Sequence, residues 1–210
     1  MYHLTYAHSL ATSYGMRFTK KDFIFSVITG LTTGIIAWKI FDFLNISQFG
    51  GISYAWLIVF VPILWIVGVN LGYFLGKWFY FFNQFGKFAA IGFTNGAVDF
   101  GVLNISTGIH YSIFKSISFV VAMIHSYFWN KHWSFESSES ASGKTEFTKF
   151  TLVTVTSFAI NVGVASFIVN YINPFVGFTP EIWANIGAVM GSATALVFSF
   201  LGFKIFVFKK

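Results

Sequence analysis

Asn95 and Asp99 stand four residues apart in an otherwise apolar stretch. That spacing stacks them on one face of a helix, with Gly92 and Gly96 beside them. A carboxylate inside hydrocarbon is expensive unless it is paired or borders water, so Asp99 needs a partner or a purpose. Counted from the apolar run that starts at Phe88, it lies roughly 16–20 Å along the helix, close to the middle of a bilayer. Two chemistries fit. One is a polar lining that hydrogen-bonds sugar hydroxyls or passes a proton. The other is a polar tie between helices, with Asn161 or His125 as partner.

A second constellation closes the next apolar run: Asn130, Lys131 and Trp133. A point charge, neutral donors and an amphipathic ring together suit capture of a lipid phosphate. They also suit an ordinary basic-plus-aromatic membrane anchor. Lys87, Lys149 and Lys204 repeat the theme at the other helix ends on that side, which predicts a shared phosphate-attracting mouth. His125, Trp129 and His132 follow at steps of four and three, compatible with a proton relay or with hydrogen-bonded packing. Glu181, just after Pro180, is placed to cap the last helix. Cysteine is absent, so disulfides, thiolate nucleophiles and sulfur-ligated metals are excluded. No Gly-rich phosphate loop, nucleophile elbow or metal-ligand cluster is evident. The expectation is a chain without catalytic residues, cofactor or metal, and not an enzyme.

The elements that must position these residues are membrane helices. Hydrophobic residues make up 56% of the 210 and charged residues 10%, against about 25% charged in ordinary globular chains. Phe alone contributes 30 residues. Apolar runs beyond roughly 18 residues predict spans, at 23–43, 54–76, 88–109, 113–129, 150–172 and 182–206. Gly30 and Gly34 on the first, and Gly68, Gly72 and Gly76 on the second, form small-residue faces that admit close helix packing. Pro62 should bend the second span. Lys39 and Asp42 are spaced to pair or to snorkel.

Six spans put both termini on one side. That side carries Arg17, Lys20, Lys21, Lys77, Lys87, Lys131, Lys144, Lys149, Lys204, Lys209 and Lys210, against Lys39 and Lys115 on the other. Such a bias predicts cytoplasmic termini. The net charge of +6 is therefore a topology signal, and no nucleic-acid partner is expected. The fold class is an all-α polytopic membrane protein with six transmembrane helices. Residues 1–21 form a tail, 22–83 an additional two-span hairpin, and 84–210 a four-helix core.

The core repeats itself. A shift of 62 lays Phe85-Gly86-Lys87-Phe88 on Phe147-Thr148-Lys149-Phe150, Thr94 on Thr156, and Asp99 on Asn161. At the exits the shift is 73, laying Ser126 on Ser199, Lys131 on Lys204, Trp133 on Phe206 and Phe135 on Phe208. Two parallel two-helix repeats, 84–135 and 147–208, are expected around a polar linker at 136–146, related by an axis along the membrane normal.

Phe85-x-Lys87-Phe88, Gly92-x-x-Asn95-x-x-x-Asp99 and Asn130-Lys131-x-Trp133-x-Phe135 resemble the GtrA-like family. Phe147-x-Lys149-Phe150, Asn161 and Lys204-Ile205-Phe206-Val207-Phe208 carry the likeness into the second half. The resemblance implies a small membrane protein that moves polyprenyl-phosphate-linked sugars across a bacterial or archaeal cytoplasmic membrane, beside glycosyltransferases of cell-surface polysaccharide synthesis. It covers about 84–210, and the first two spans depart from the usual four-span pattern. The second exit also departs, with Phe203 where the first has Asn130. On this reading Asn95, Asp99, Asn161 and His125 meet the sugar, while Lys131, Asn130, Lys87, Lys149, Lys204 and Trp133 gather the phosphate. A non-transporting partner of a membrane glycosyltransferase and a small proton-coupled exporter are the competing functions. Membrane lipid and a second copy of the chain are further partner classes left open.

Overall fold

The computed structural model describes residues 17–44, 46, 51–104, 111–137, 143–175 and 177–209. The tail before Arg17, most of the turn after Asn45, the turn near His110 and part of the polar linker lie outside them. The described chain is helical: α1 Lys20–Phe43, α2 Leu57–Leu75, α3 Phe81–Asn104, α4 Tyr111–Trp129, α5 Gly143–Tyr171 and α6 Pro180–Gly202. A single 3₁₀ turn, Tyr54–Trp56, leads into α2.

The burial pattern is inverted relative to a water-soluble fold. Phe93, Phe100 and Phe158 are each about three-fifths or more exposed, while Asp22, Thr29, Thr94 and Ser118 are buried. Large apolar side chains face outward only where the surroundings are apolar too. Among the described residues, four helical stretches are long and apolar enough to cross a membrane: Lys20–Phe43, Tyr54–Leu75, Gly143–Tyr171 and Ile182–Val207. The six expected spans exceed that set because α3 and α4 carry more polar residues, among them Asn83, Gln84, Lys87, Asn95 and Asp99 on one, and Lys115, Ser118 and His125 on the other.

The chain forms two compact units, Met1–Glu136 and Ser137–Lys210. The division therefore falls in the expected polar linker, not between the hairpin and the core at 83/84. The physical reason is that α3 packs against α1, α2 and α4 alike, so the expected hairpin shares the core of the first unit. That core holds Val69, Tyr73, Ala90, Ile91 and Trp133, flanked by Phe18, Phe25, Trp65 and Trp129. Halfway along, Thr94 Oγ1 receives hydrogen bonds from Thr33 (3.0 Å) and Trp65 Nε1 (3.2 Å), tying α1, α2 and α3 together.

Glycine decides how closely α1 and α2 approach. A Cβ on Gly34 would collide with the Leu57 carbonyl, and one on Gly30 with the Pro62 backbone. Gly68 has open space where its Cβ would be. Gly34→Ala is expected to cost about 1–3 kcal/mol as the helices part. Gly68→Ala should be neutral or stabilising, because alanine is the better helix former. Thermal midpoints of the two detergent-purified variants check the contrast; equal midpoints would refute it.

Several ends differ from the expected spans. Among them, α5 starts at Gly143, seven residues before Phe150, so the expected polar linker 136–146 gives its last four residues to the helix. α3 starts at Phe81, seven residues before Phe88, which puts Lys87 in its second turn. The N-cap of α6 is Thr179, whose hydroxyl accepts from Ile182 N at 3.4 Å ahead of Pro180, and not Glu181. Both exits continue as π-helical turns, Asn130–Ser134 after α4 and Phe203–Val207 after α6. These turns close through Phe135 N to Asn130 O (2.9 Å) and Phe208 N to Phe203 O (2.7 Å). The two turns fall in the register of the 73-residue shift. A ring pair seals each of them, Phe88–Phe135 at 6.1 Å and Phe150–Phe208 at 6.2 Å.

Candidate functional site

Asp99 is neither alone nor at mid-helix. Because α3 begins at Phe81, the acid lies about 27 Å along it and only five residues before the last described one, Asn104. Its Oδ2 is 2.5 Å from Lys115 Nζ, and its Oδ1 accepts from the Ser118 hydroxyl at 2.7 Å. Lys115 and Ser118 lie on α4, so the hairpin itself supplies the partners. His125, the partner the sequence suggests within this hairpin, is engaged elsewhere. It accepts from Trp129 Nε1 at 2.8 Å, the neighbour one turn on. Sequence reasoning placed Lys115 with the outer loop charges and missed the pair. A signal was available: Asp99 and Lys115 stand equally far on either side of residue 107, which lies in sequence between the described ends of α3 and α4.

The pair is accessible, with 22% of the Asp99 side chain and 41% of that of Lys115 exposed. It presents an ammonium and a carboxylate at no net charge, with the buried Ser118 hydroxyl holding the carboxylate from behind. That combination donates to and accepts from a polyol without the penalty of a lone ion. One turn away, Asn95 Oδ1 is buried with no hydrogen-bond partner, as is His125 Nδ1. In the second unit Asn161 Nδ2 donates to Ser192 Oγ at 3.4 Å. There too, a serine on the returning helix meets the polar residue on the entering one.

At the other end of the first unit lies a buried carboxylate that sequence reasoning passed over. Asp22 is 1% exposed. Its Oδ1 takes the Lys87 ammonium at 2.8 Å and Trp133 Nε1 at 3.0 Å. Its Oδ2 takes Tyr73 OH at 3.1 Å, with Thr19 N at 2.9 Å and Thr19 Oγ1 at 2.7 Å. The local cause is a capping box in which Thr19 and Asp22 satisfy each other's backbone N–H at the start of α1. That Thr-x-x-Asp spacing was legible; its tertiary partners were not.

These contacts correct three expected roles. Trp133 is fully buried, not an interfacial ring, because its N–H is spent on Asp22. Lys87 is buried against the same carboxylate, not open at a mouth. Asn130 turns its donors back on Ser126, to the carbonyl at 2.8 Å and the hydroxyl at 3.2 Å, and is 1% exposed. Lys131 lies along Tyr127, with its ammonium 3.4 Å from the hydroxyl. In the second unit Lys204 sits over the Phe200 ring at 5.6 Å and Lys149 over Phe206 at 5.1 Å. Lys39 stacks on Trp38 at 4.0 Å. No group of three or more metal-ligating side chains exists among the described residues.

Outward-facing apolar helices around buried polar ties define an all-helical membrane protein. Residues 87–209 match the family described as "GtrA/DPMS, transmembrane domain", and the chain belongs to it. Over 128 residues it is 28% identical to the "Uncharacterized membrane protein YngA" of Bacillus subtilis (strain 168), covering 59% of this chain and 78% of that protein. Membership points to a role in handling lipid-linked sugars.

Proposed function

We propose that this chain is a translocase that carries a polyprenyl-phosphate-linked sugar across the cytoplasmic membrane of a bacterium or archaeon, for cell-surface polysaccharide synthesis. The observation that carries the reading is the partly exposed Asp99–Lys115 pair on a helical hairpin, backed by the buried Ser118 hydroxyl. Sugar hydroxyls are costly to bring into hydrocarbon without hydrogen-bond partners, and this cluster replaces water for them. The acid is already neutralised by a lysine, which favours sugar binding over proton carriage by Asp99.

On this reading all six helices span. The 24 residues of α3 reach about 36 Å, enough for a hydrocarbon core of about 30 Å. The two π-helical exits in matching register support a core of two repeats, and the lysine bias supports cytoplasmic termini. Asp99 and Lys115 then belong to the outer half, Lys131, Lys149 and Lys204 to the cytoplasmic end. The prenyl tail stays in lipid throughout. The chain supplies a path and no bond chemistry, so it is not an enzyme. The partner it implies is a membrane glycosyltransferase that makes or consumes the lipid-linked sugar.

The test is reconstitution into liposomes with a fluorescent polyprenyl-phosphate sugar, scored by how much label an external quencher reaches over time. Faster equilibration than in protein-free liposomes is expected. Identical rates would refute the reading.

A further inference from the structure

Near the start of α1, two ammonium groups converge on a single exposed oxygen. Lys21 Nζ lies 3.4 Å and Lys87 Nζ 3.5 Å from Glu136 Oε1. Neither contact is tight, and the contrast with the 2.8 Å between Lys87 and buried Asp22 is large. Lys21 and Glu136 have side chains 44% and 46% exposed, whereas that of Lys87 is 7% exposed. Lys87 is therefore held from within by a permanent counter-ion and covered from outside by a loose one. Glu136 also has φ 46°, the only positive value among described residues other than glycine, a conformation that costs a side-chain-bearing residue free energy. Its hold is an exposed pair on one side and a disfavoured backbone on the other. Such pairs contribute little in water.

We infer that the Lys21–Lys87 notch is a binding site for a phosphate ester, and that the Glu136 carboxylate is its displaceable occupant. The inference rests on the phosphate-bearing substrate of the reading above and supplies the anion site that reading lacks. A phosphate oxygen takes the place of Glu136 Oε1 between the two ammonium groups, where two cations on different helices give it charge-assisted hydrogen bonds. Asp22 stays where it is, so Lys87 remains charged and fixed in direction. Lys21 lies in the first turn of α1, which gives that helix a part in substrate recognition beyond packing.

The full-length protein in detergent is titrated with farnesyl phosphate, with farnesol and inorganic phosphate as parallel arms, and followed by ³¹P NMR and calorimetry. Glu136→Gln is expected to tighten farnesyl phosphate binding roughly fivefold, the scale on which exposed ion pairs act. Lys21→Met should weaken binding in the parent and erase the gain when combined with Glu136→Gln. Both side chains are exposed, and thermal midpoints confirm that the variants fold. Unchanged affinity in Glu136→Gln, or no binding by any variant, overturns the site. Equal affinity for inorganic phosphate overturns its assignment to a lipid ester. Tighter binding in Glu136→Gln without liposome transport leaves the site standing and the translocase reading fallen. Transport with affinities indifferent to both substitutions does the reverse.

Discussion

Asp22→Ala should unfold or severely loosen the first unit, at a cost of about 3–5 kcal/mol. The substitution strands Lys87, whose ammonium is buried against that carboxylate, and removes the acceptor used by Trp133 Nε1 and Tyr73 OH. Each stranded neutral donor adds about 1–3 kcal/mol of desolvation unless water reaches it. The size of the effect comes from asymmetry. Removing one partner of a buried ion pair is costly, whereas replacing both by apolar groups of similar volume is often neutral. Asp22→Leu combined with Lys87→Met is therefore expected to recover most of the lost stability. Tyr73→Phe removes one donor of five and should cost about 1 kcal/mol. Thermal unfolding of detergent-purified protein reads all three. A parent-like midpoint for Asp22→Ala would mean that this carboxylate does not hold α1 to the core. A double variant as weak as the single would mean that the pair stabilises in its own right.

The contrast between Asp22 and Asp99 shows what was legible in the chain and what was not. Apolar runs near 20 residues define helices by themselves, so the presence of six helices follows from hydropathy. Their ends do not follow, because Phe81–Phe85 is as compatible with an interfacial loop as with the first turns of α3. That ambiguity moved Lys87 from an assumed mouth into a buried turn, and Asp99 from the assumed centre towards the far end. Asp99 stood out because it is a lone acid amid apolar neighbours. Asp22 did not, since it follows Lys20 and Lys21, where an acid looks like ordinary headgroup chemistry. Burial of Asp22 depends on Tyr73, Lys87 and Trp133, which come from three other elements, and no local period encodes such a meeting. The core's 73-residue register was readable from a few identities. The π-helical turns at its exits were not, because a turn with one extra residue leaves the hydrophobic pattern almost unchanged.

Asp99→Ala should lower sugar-lipid translocation by about tenfold or more, the worth of one charge-assisted hydrogen bond at a rate-determining passage. Loss of rate alone is ambiguous, because Asp99 also neutralises Lys115. Were neutralisation its whole purpose, removing both charges would restore the protein. The Asp99→Ala/Lys115→Ala double variant, free of stranded charge, would then fold and transport like the parent. Were the pair a hydrogen-bonding surface for hydroxyls, the double variant would fold well and still translocate slowly, since the donor and the acceptor are both gone. The second outcome is expected, because a pair that remains 22% and 41% exposed is open to ligand in a way the Asp22 cluster is not. Exchanging the charges, with Asp99→Lys and Lys115→Asp, should recover part of the rate, because a polyol is indifferent to which helix carries the acid. Parent-like transport by the double alanine variant would reduce this pair to a structural tie and leave the sugar's path elsewhere.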